Sequence, residues 1–179
     1  MNRVYKEQRV LGIDIGFETT GMCYSSYPIN KPLIYRLETG DKRTKWPGYK
    51  KFVSEFFCNE VNIPNIINSD LIIIEKPFNV PGHGKVLIEL LGIFKREFVL
   101  WNKSFVEVPQ KTLKKFATDN GNAKKSEMVK RALKEYQVEA ETEDEIDAFW
   151  ASLLGHCILQ PEKFSKARQE SIKKLVILR

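Results

Sequence analysis

Four acidic side chains, Asp14, Glu75, Asp144 and Asp147, carry the strongest chemical signal in this sequence. Asp14 closes the run Arg9-Val-Leu-Gly-Ile-Asp14 and Glu75 closes Asp70-Leu-Ile-Ile-Ile-Glu75, so each ends an apolar stretch of strand character. Asp144 and Asp147 stand three apart at the start of an apolar-periodic helix, on one face with Cβ atoms about 5–6 Å apart. Carboxylates gathered at buried strand ends repel one another and are costly to desolvate unless paired, protonated or coordinated. A hard divalent cation removes that conflict. Ligation by oxygen alone, with no Cys or His partner, suits magnesium or manganese rather than zinc. A pair of such ions about 3.5–4 Å apart can clamp the attacking and leaving oxygens of a phosphodiester. The chemistry implied is hydrolysis of a nucleic-acid backbone. Taken one at a time, each acid has an ordinary explanation: Asp14 as a turn former, Glu75 as a strand-end charge, Asp144 and Asp147 as helix N-terminal residues favoured by the macrodipole. A shared role explains all four together.

The elements that must position these acids follow from pattern. Residues 8–16, 20–27 and 33–38 read as three strands of an antiparallel meander, with turns near Gly16 to Gly21 and Pro28 to Pro32. Tyr49, Phe52, Val53, Phe56 and Phe57 fall at helical spacing and predict a helix over 49–62. The continuous apolar strand 70–75 calls for cover on both faces and a parallel place beside the first strand. Neighbouring strands lie about 4.8 Å apart, which puts Asp14 and Glu75 within reach of one metal. The Pro- and Gly-containing segment 76–84 is a loop at the C-terminal end of that strand, the edge where ligands sit in α/β folds. Residues 85–100 form a helix whose apolar coverage exceeds one core stripe, suited either to the core plus a second subunit or to deep burial in one domain. A last strand at 104–108, a Lys-rich helix to about 117, a turn at 118–122 and an amphipathic helix through 136 follow. The acidic stretch 139–147 then leads into a helix containing Ile146, Phe149, Trp150, Leu153 and Leu154.

A chain of 179 residues that is 42% apolar fits one domain with a sizeable core, and excludes disorder as its organising state. The net charge of +6 points to an anionic partner, nucleic acid before membrane surface. Lys111, Lys114, Lys115, Lys124, Lys125, Lys130, Arg131 and Lys134 concentrate in one stretch, as a phosphate-tracking surface requires. Cys23, Cys58 and Cys157 show no zinc-ligand spacing, so reduced thiols and a cytoplasmic, membrane-free protein are expected. No run has signal-peptide character or the roughly 20 apolar residues of a membrane span. Residues 161–179, basic again, are expected to extend a domain of residues 1–160 as a peripheral helix or a loosely held tail.

Three blocks resemble the RuvC family of Holliday junction resolvases within the ribonuclease H-like superfamily: Leu11-Gly-Ile-Asp-Ile-Gly16 with Thr20-Gly21, Ile74-Glu-Lys-Pro-Phe78, and Asp144-Glu-Ile-Asp-Ala148. A fourth, Lys114-Lys-Phe-Ala-Thr-Asp-Asn-Gly-Asn-Ala-Lys-Lys-Ser126, is similar to the family's basic segment. The likeness runs to about residue 157, leaves the tail after Pro161 uncovered, and leaves bacterial and phage-type members both open. It implies an α/β ribonuclease H-like fold, a mixed five-stranded sheet with helices on both faces. It further implies a homodimer and a crossover junction endonuclease that nicks branched DNA symmetrically with two Mg2+ per site, Mn2+ substituting. By the same resemblance Asp14, Glu75, Asp144 and Asp147 are the metal ligands, and Lys114 and Lys125 lie near the scissile strand. Phe78 stacks on or wedges a junction base, or else anchors its loop. Lys76, Lys111, Lys115, Lys124, Lys130 and Arg131 complete the expected DNA contacts.

Rival readings are a broader flap or fork nuclease on the same metal core, a noncatalytic junction-binding protein, and an actin-like ATPase. The last rests on Asp14-Ile-Gly16 and Asp119-Asn-Gly121, in a chain short for two lobes and without a glycine-rich adenosine segment.

Overall fold

The computed structural model of this chain describes residues 7–16, 19–29, 31–38, 53, 56–77 and 84–178. Five strands form one sheet: β1 (Arg9–Ile15), β2 (Thr19–Ser26), β3 (Leu33–Glu38), β4 (Leu71–Lys76) and β5 (Phe105–Pro109), in the order β3-β2-β1-β4-β5. β1, β2 and β3 pair antiparallel as the expected meander, while β4 joins β1 in parallel and β5 joins β4 in parallel. The helices are α1 (Asn62–Asn68), α2 (Gly84–Leu100), α3 (Gln110–Thr118), α4 (Lys125–Tyr136), α5 (Glu143–Leu159) and α6 (Lys166–Ile172). Residues 56–58 are also helical. Among the described residues no helix is long and apolar enough to cross a membrane.

The two-residue period of a strand divides the core into two layers. Leu11, Ile13, Ile15, Ile72 and Ile74 pack with Phe56, Ile66 and the α2 residues Leu90, Leu91, Phe94 and Phe98. Val10, Leu71, Ile73, Val106 and Val108 pack instead with α3, α4 and α5, including Phe116, Met128, Ile146, Phe149, Trp150 and Leu153. The continuous Leu-Ile-Ile-Ile run of β4 is therefore covered on both faces, as its composition requires. α5 is buried continuously from Glu145 to Cys157. It is the central helix of its layer.

One feature departs from the sequence expectation, and two decide between alternatives that the sequence left open. α1 falls where the chain was expected to leave the helix 49–62 and enter a strand. Pro64 sits in its first turn, where a missing N–H costs no helical bond, and Asn59 Oδ1 accepts from the N–H groups of Val61 and Asn62 at 2.8 and 3.3 Å. Polar Asn and Pro residues hid a helix whose buried contacts are few. Most of residues 49–55 lie outside the described residues. The chain after Pro161 is the expected peripheral helix and not a loose tail: Arg168 Nη1 donates to Tyr136 Oη at 2.7 Å, and its guanidinium lies over the rings of Phe116, Tyr136 and Trp150. Leu178 then pairs with Phe105 across the edge of β5. Finally, α2 keeps both of its anticipated faces, with Ile88, Val99 and Leu100 left 51%, 53% and 61% exposed opposite the core-facing Leu90 and Phe94.

Candidate metal centre

Parallel pairing of β1 with β4 runs from Val10 with Leu71 to Ile13 with Ile74, one residue short of Asp14 and Glu75. Alternation sends Val10, Gly12 and Asp14 to the face shared by Leu71, Ile73 and Glu75, the face covered by α5. Two glycines let α5 come close. A Cβ on Gly12 would lie 2.1 Å from the carbonyl oxygen of Ala148, and one on Gly21 would lie 2.1 Å from that of Asp144. Any side chain at either position would push the helix, and Asp147 with it, off the sheet. The N-terminus of α5 is fixed by a capping box, with Thr142 Oγ1 accepting from Glu145 N and Glu145 Oε2 accepting from Thr142 N.

The result is that ligand atoms of Asp14, Glu75 and Asp147 all lie within 4.8 Å of one another. Burial first, and then the negative charge of Asp147 and Asp144, pushes the Asp14 carboxyl up to about 8. Burial, followed by the charges of Asp14 and Asp147, pushes Glu75 up to about 9, with Lys125 and Lys114 acting in the opposite direction. Asp147 is raised too, chiefly by burial, with Lys125 opposing. Among the described residues Glu75 Oε2 is buried with no hydrogen-bond partner. An orphaned carboxylate oxygen facing two further acids is an expensive arrangement for the chain alone. It fits a hard divalent cation, whose oxygen-only donor set this is.

Asp144 does not join that group of three. Thr19 Oγ1 donates to Asp144 Oδ2, holding the carboxylate at the start of β2, beside the cluster and electrostatically coupled to it. Lys125 Nζ lies 3.0 Å from Asp147 Oδ2 and 3.5 Å from Glu143 Oε2. Burial disfavours the Lys125 charge, but Asp147, Asp14 and Asp144 outweigh it and hold the ammonium above its usual range. Lys114, half-buried on α3, is close enough to influence Glu75.

The remaining anticipated contacts spread outward. Lys76 ends β4 exposed, Lys111 and Lys115 are exposed on α3, Lys124 caps α4 exposed, and Lys130 is exposed on α4. Arg131 is engaged within the protein, by Asp119 at 2.9 Å and Glu135 at 2.6 Å. Phe78 lies outside the described residues. Thr19, Gly12 and Glu143 were not singled out from sequence. Glycine inside a strand pattern is the available signal for Gly12; no local signal marks Thr19 or Glu143.

A β3-β2-β1-β4-β5 mixed sheet with helices on both faces is the ribonuclease H-like fold of RuvC. Two solved structures carry that statement. The Thermus thermophilus RuvC structure matches with a TM-score of 0.65 and 12% identity over 96% of this chain and 100% of that one. T. thermophilus RuvC in complex with Holliday junction substrate matches with a TM-score of 0.66 and 12% identity over 87% of this chain and 96% of that one. At this identity the likeness is one of fold. With 96% of the chain included, it extends past Pro161, where the motif resemblance ends. No family model matches the sequence, and no curated protein matches it.

Proposed function

We propose that this protein is a structure-selective DNA endonuclease that resolves four-way (Holliday) junctions by paired symmetric nicks, leaving 5′ phosphate and 3′ hydroxyl ends. One observation carries the reading: the buried Glu75 Oε2, unpartnered among the described residues and grouped with Asp14 and Asp147 on the fold of a protein solved with a Holliday junction substrate. Asp14, Glu75 and Asp147 would hold Mg2+, with Asp144 completing the ligand set for a second ion and Mn2+ able to substitute. Such ions, when bound, supply Lewis-acid polarisation of the phosphodiester and activation of water. The chain's residues supply the rest. The acids bind and orient; Lys114 and Lys125 offset negative charge gathering on the phosphate in the transition state. Lys76, Lys111, Lys115, Lys124 and Lys130 track the DNA backbone, Arg131 reaches it only by giving up its ion pairs with Asp119 and Glu135, and Phe78 stacks on or wedges a base.

Two incisions on opposed strands require two sites, so the reading includes a homodimer, in the cytoplasm, with the exposed Ile88, Val99 and Leu100 face of α2 as its contact. The test is a substrate panel in Mg2+: four-way junction, flap, fork and linear duplex, with cut sites mapped. Paired cuts at matching positions on the junction, much faster than on the other substrates, are expected. Equal rates on flaps and forks would instead indicate the broader branched-DNA nuclease, and no cleavage of any substrate would refute the enzymatic reading.

A further inference from the structure

Lys125 sits between two acids of unlike surroundings. Asp147, 3.0 Å away, is 4% exposed and belongs to the candidate metal centre; Glu143, 3.5 Å away, is 64% exposed and does not. We infer that Glu143 is a positioning residue that receives the Lys125 ammonium when a divalent cation enters, and so sets metal affinity without touching the metal. The inference rests on the metal centre proposed above.

Three observations support it. Lys125 is the first residue of α4, where the helix macrodipole disfavours a cation, so its neighbouring carboxylates are what hold the charge there. A divalent ion on Asp147 would share one carboxylate with that ammonium, and like charges at such separation repel strongly in a partly buried site. The lysine must therefore yield. Its flexible stem and three freely rotating donors allow movement over a short distance, and Glu143 Oε2 is already within ion-pair range on the solvent side. Loss of the Asp147 contact then leaves the existing Glu143 pair to tighten around Lys125, instead of leaving the lysine without a partner at a helix start. Glu143 is itself the first residue of α5, a position that favours its negative charge.

The idea separates from plain attraction of a cation by a nearby acid. Mn2+ alone is titrated into the full chain by calorimetry, without DNA, for the wild type, Glu143→Gln, Lys125→Met and the double variant. Thermal unfolding of each in chelator checks folding, and Lys125→Gln serves as the alternative if Lys125→Met fails to fold. Lys125→Met is expected to bind Mn2+ more tightly, because the competing cation is gone. Glu143→Gln is expected to weaken binding about fivefold in the wild-type background and less than about twofold in the Lys125→Met background, a coupling of the size seen for side chains in one ion-pair network. Equal weakening in both backgrounds, or none in the wild type, would overturn the role of Glu143 while leaving the metal centre standing. Failure of the wild type to bind Mn2+ would remove the metal centre and this inference together.

Discussion

Replacing Asp14 by asparagine is expected to make the metal-free protein more stable. The folded-state values near 8 for Asp14 and 9 for Glu75 lie above their ordinary values of 3.8 and 4.5. The folded chain therefore holds protons that the unfolded chain has already lost. The resulting penalty is absent below about pH 4, grows as pH rises, and is complete above the folded values near 8 and 9. Between 3.8 and neutrality lie about three pH units, which at about 1.4 kcal/mol each sets a ceiling of about 4 kcal/mol for Asp14. The charges of Asp147 and Glu75 are shared in the same cluster, so an isosteric amide recovers only part, about 2 kcal/mol. For a chain of this length that raises Tm by about 4–8 °C. The assay is thermal unfolding in chelator at pH 5, 7 and 9: the advantage of Asp14→Asn should be small at pH 5 and largest at pH 9. Saturating Mg2+ should reverse the order, since binding at about 100-fold above Kd adds about 2.7 kcal/mol to the wild type alone. An Asp14→Asn Tm equal to or below the wild type at pH 7 and pH 9 in chelator would refute the reasoning.

Gly21→Ala places a methyl group 2.1 Å from the Asp144 carbonyl and should cost at least about 1–3 kcal/mol in urea denaturation, with loss of Mn2+ affinity because α5 must shift. Wild-type stability with intact Mn2+ binding would contradict the close approach. Arg168→Ala should cost about 2–3 kcal/mol, since the guanidinium bonds Tyr136 and Glu135 and covers three aromatic rings; Arg168→Lys, lacking the planar fork, should recover little in the same denaturation assay. Burial pushes His156 down to about 4, so its imidazole stays neutral through pH 5. The stability this neutral form contributes is present above about 6.5 and lost as pH falls toward 4. NMR of the ring should place the midpoint near the lower value; a midpoint near 6.5 would show the burial to be wrong.

Where a residue's position depended on strand order and alternation, the sequence was a good guide. Asp14 and Glu75 end apolar runs that pair in parallel, and the period-2 rule together with the observed register puts both on one face. The helix holding Asp147 was legible from its apolar spacing, and the capping box of Thr142 and Glu145 that fixes its start came only with the structure. What could not be read was the axial placement of that helix, which the packing of Gly12 and Gly21 decides over a separation of more than a hundred residues. For that reason the sequence treats Asp144 and Asp147 as equivalent, whereas Thr19 holds Asp144 apart from the other three acids. The same limit applies to the basic stretch. Composition groups Arg131 with the lysines of that stretch, but tertiary pairing with Asp119 and Glu135 compensates its charge. α1 was missed because its Asn and Pro residues are poor helix formers whose capping and first-turn placement become evident only in three dimensions.

Nicking of a synthetic four-way junction by purified protein, with Mg2+ and in its absence, tests the central claim most directly when wild type is compared with Asp14→Asn. The wild type should cut only when Mg2+ is present, and Asp14→Asn should bind the junction with near-normal affinity and cut nothing. Cleavage by Asp14→Asn at the wild-type rate, or cleavage by the wild type in chelator, would contradict a metal centre built on Asp14, Glu75 and Asp147.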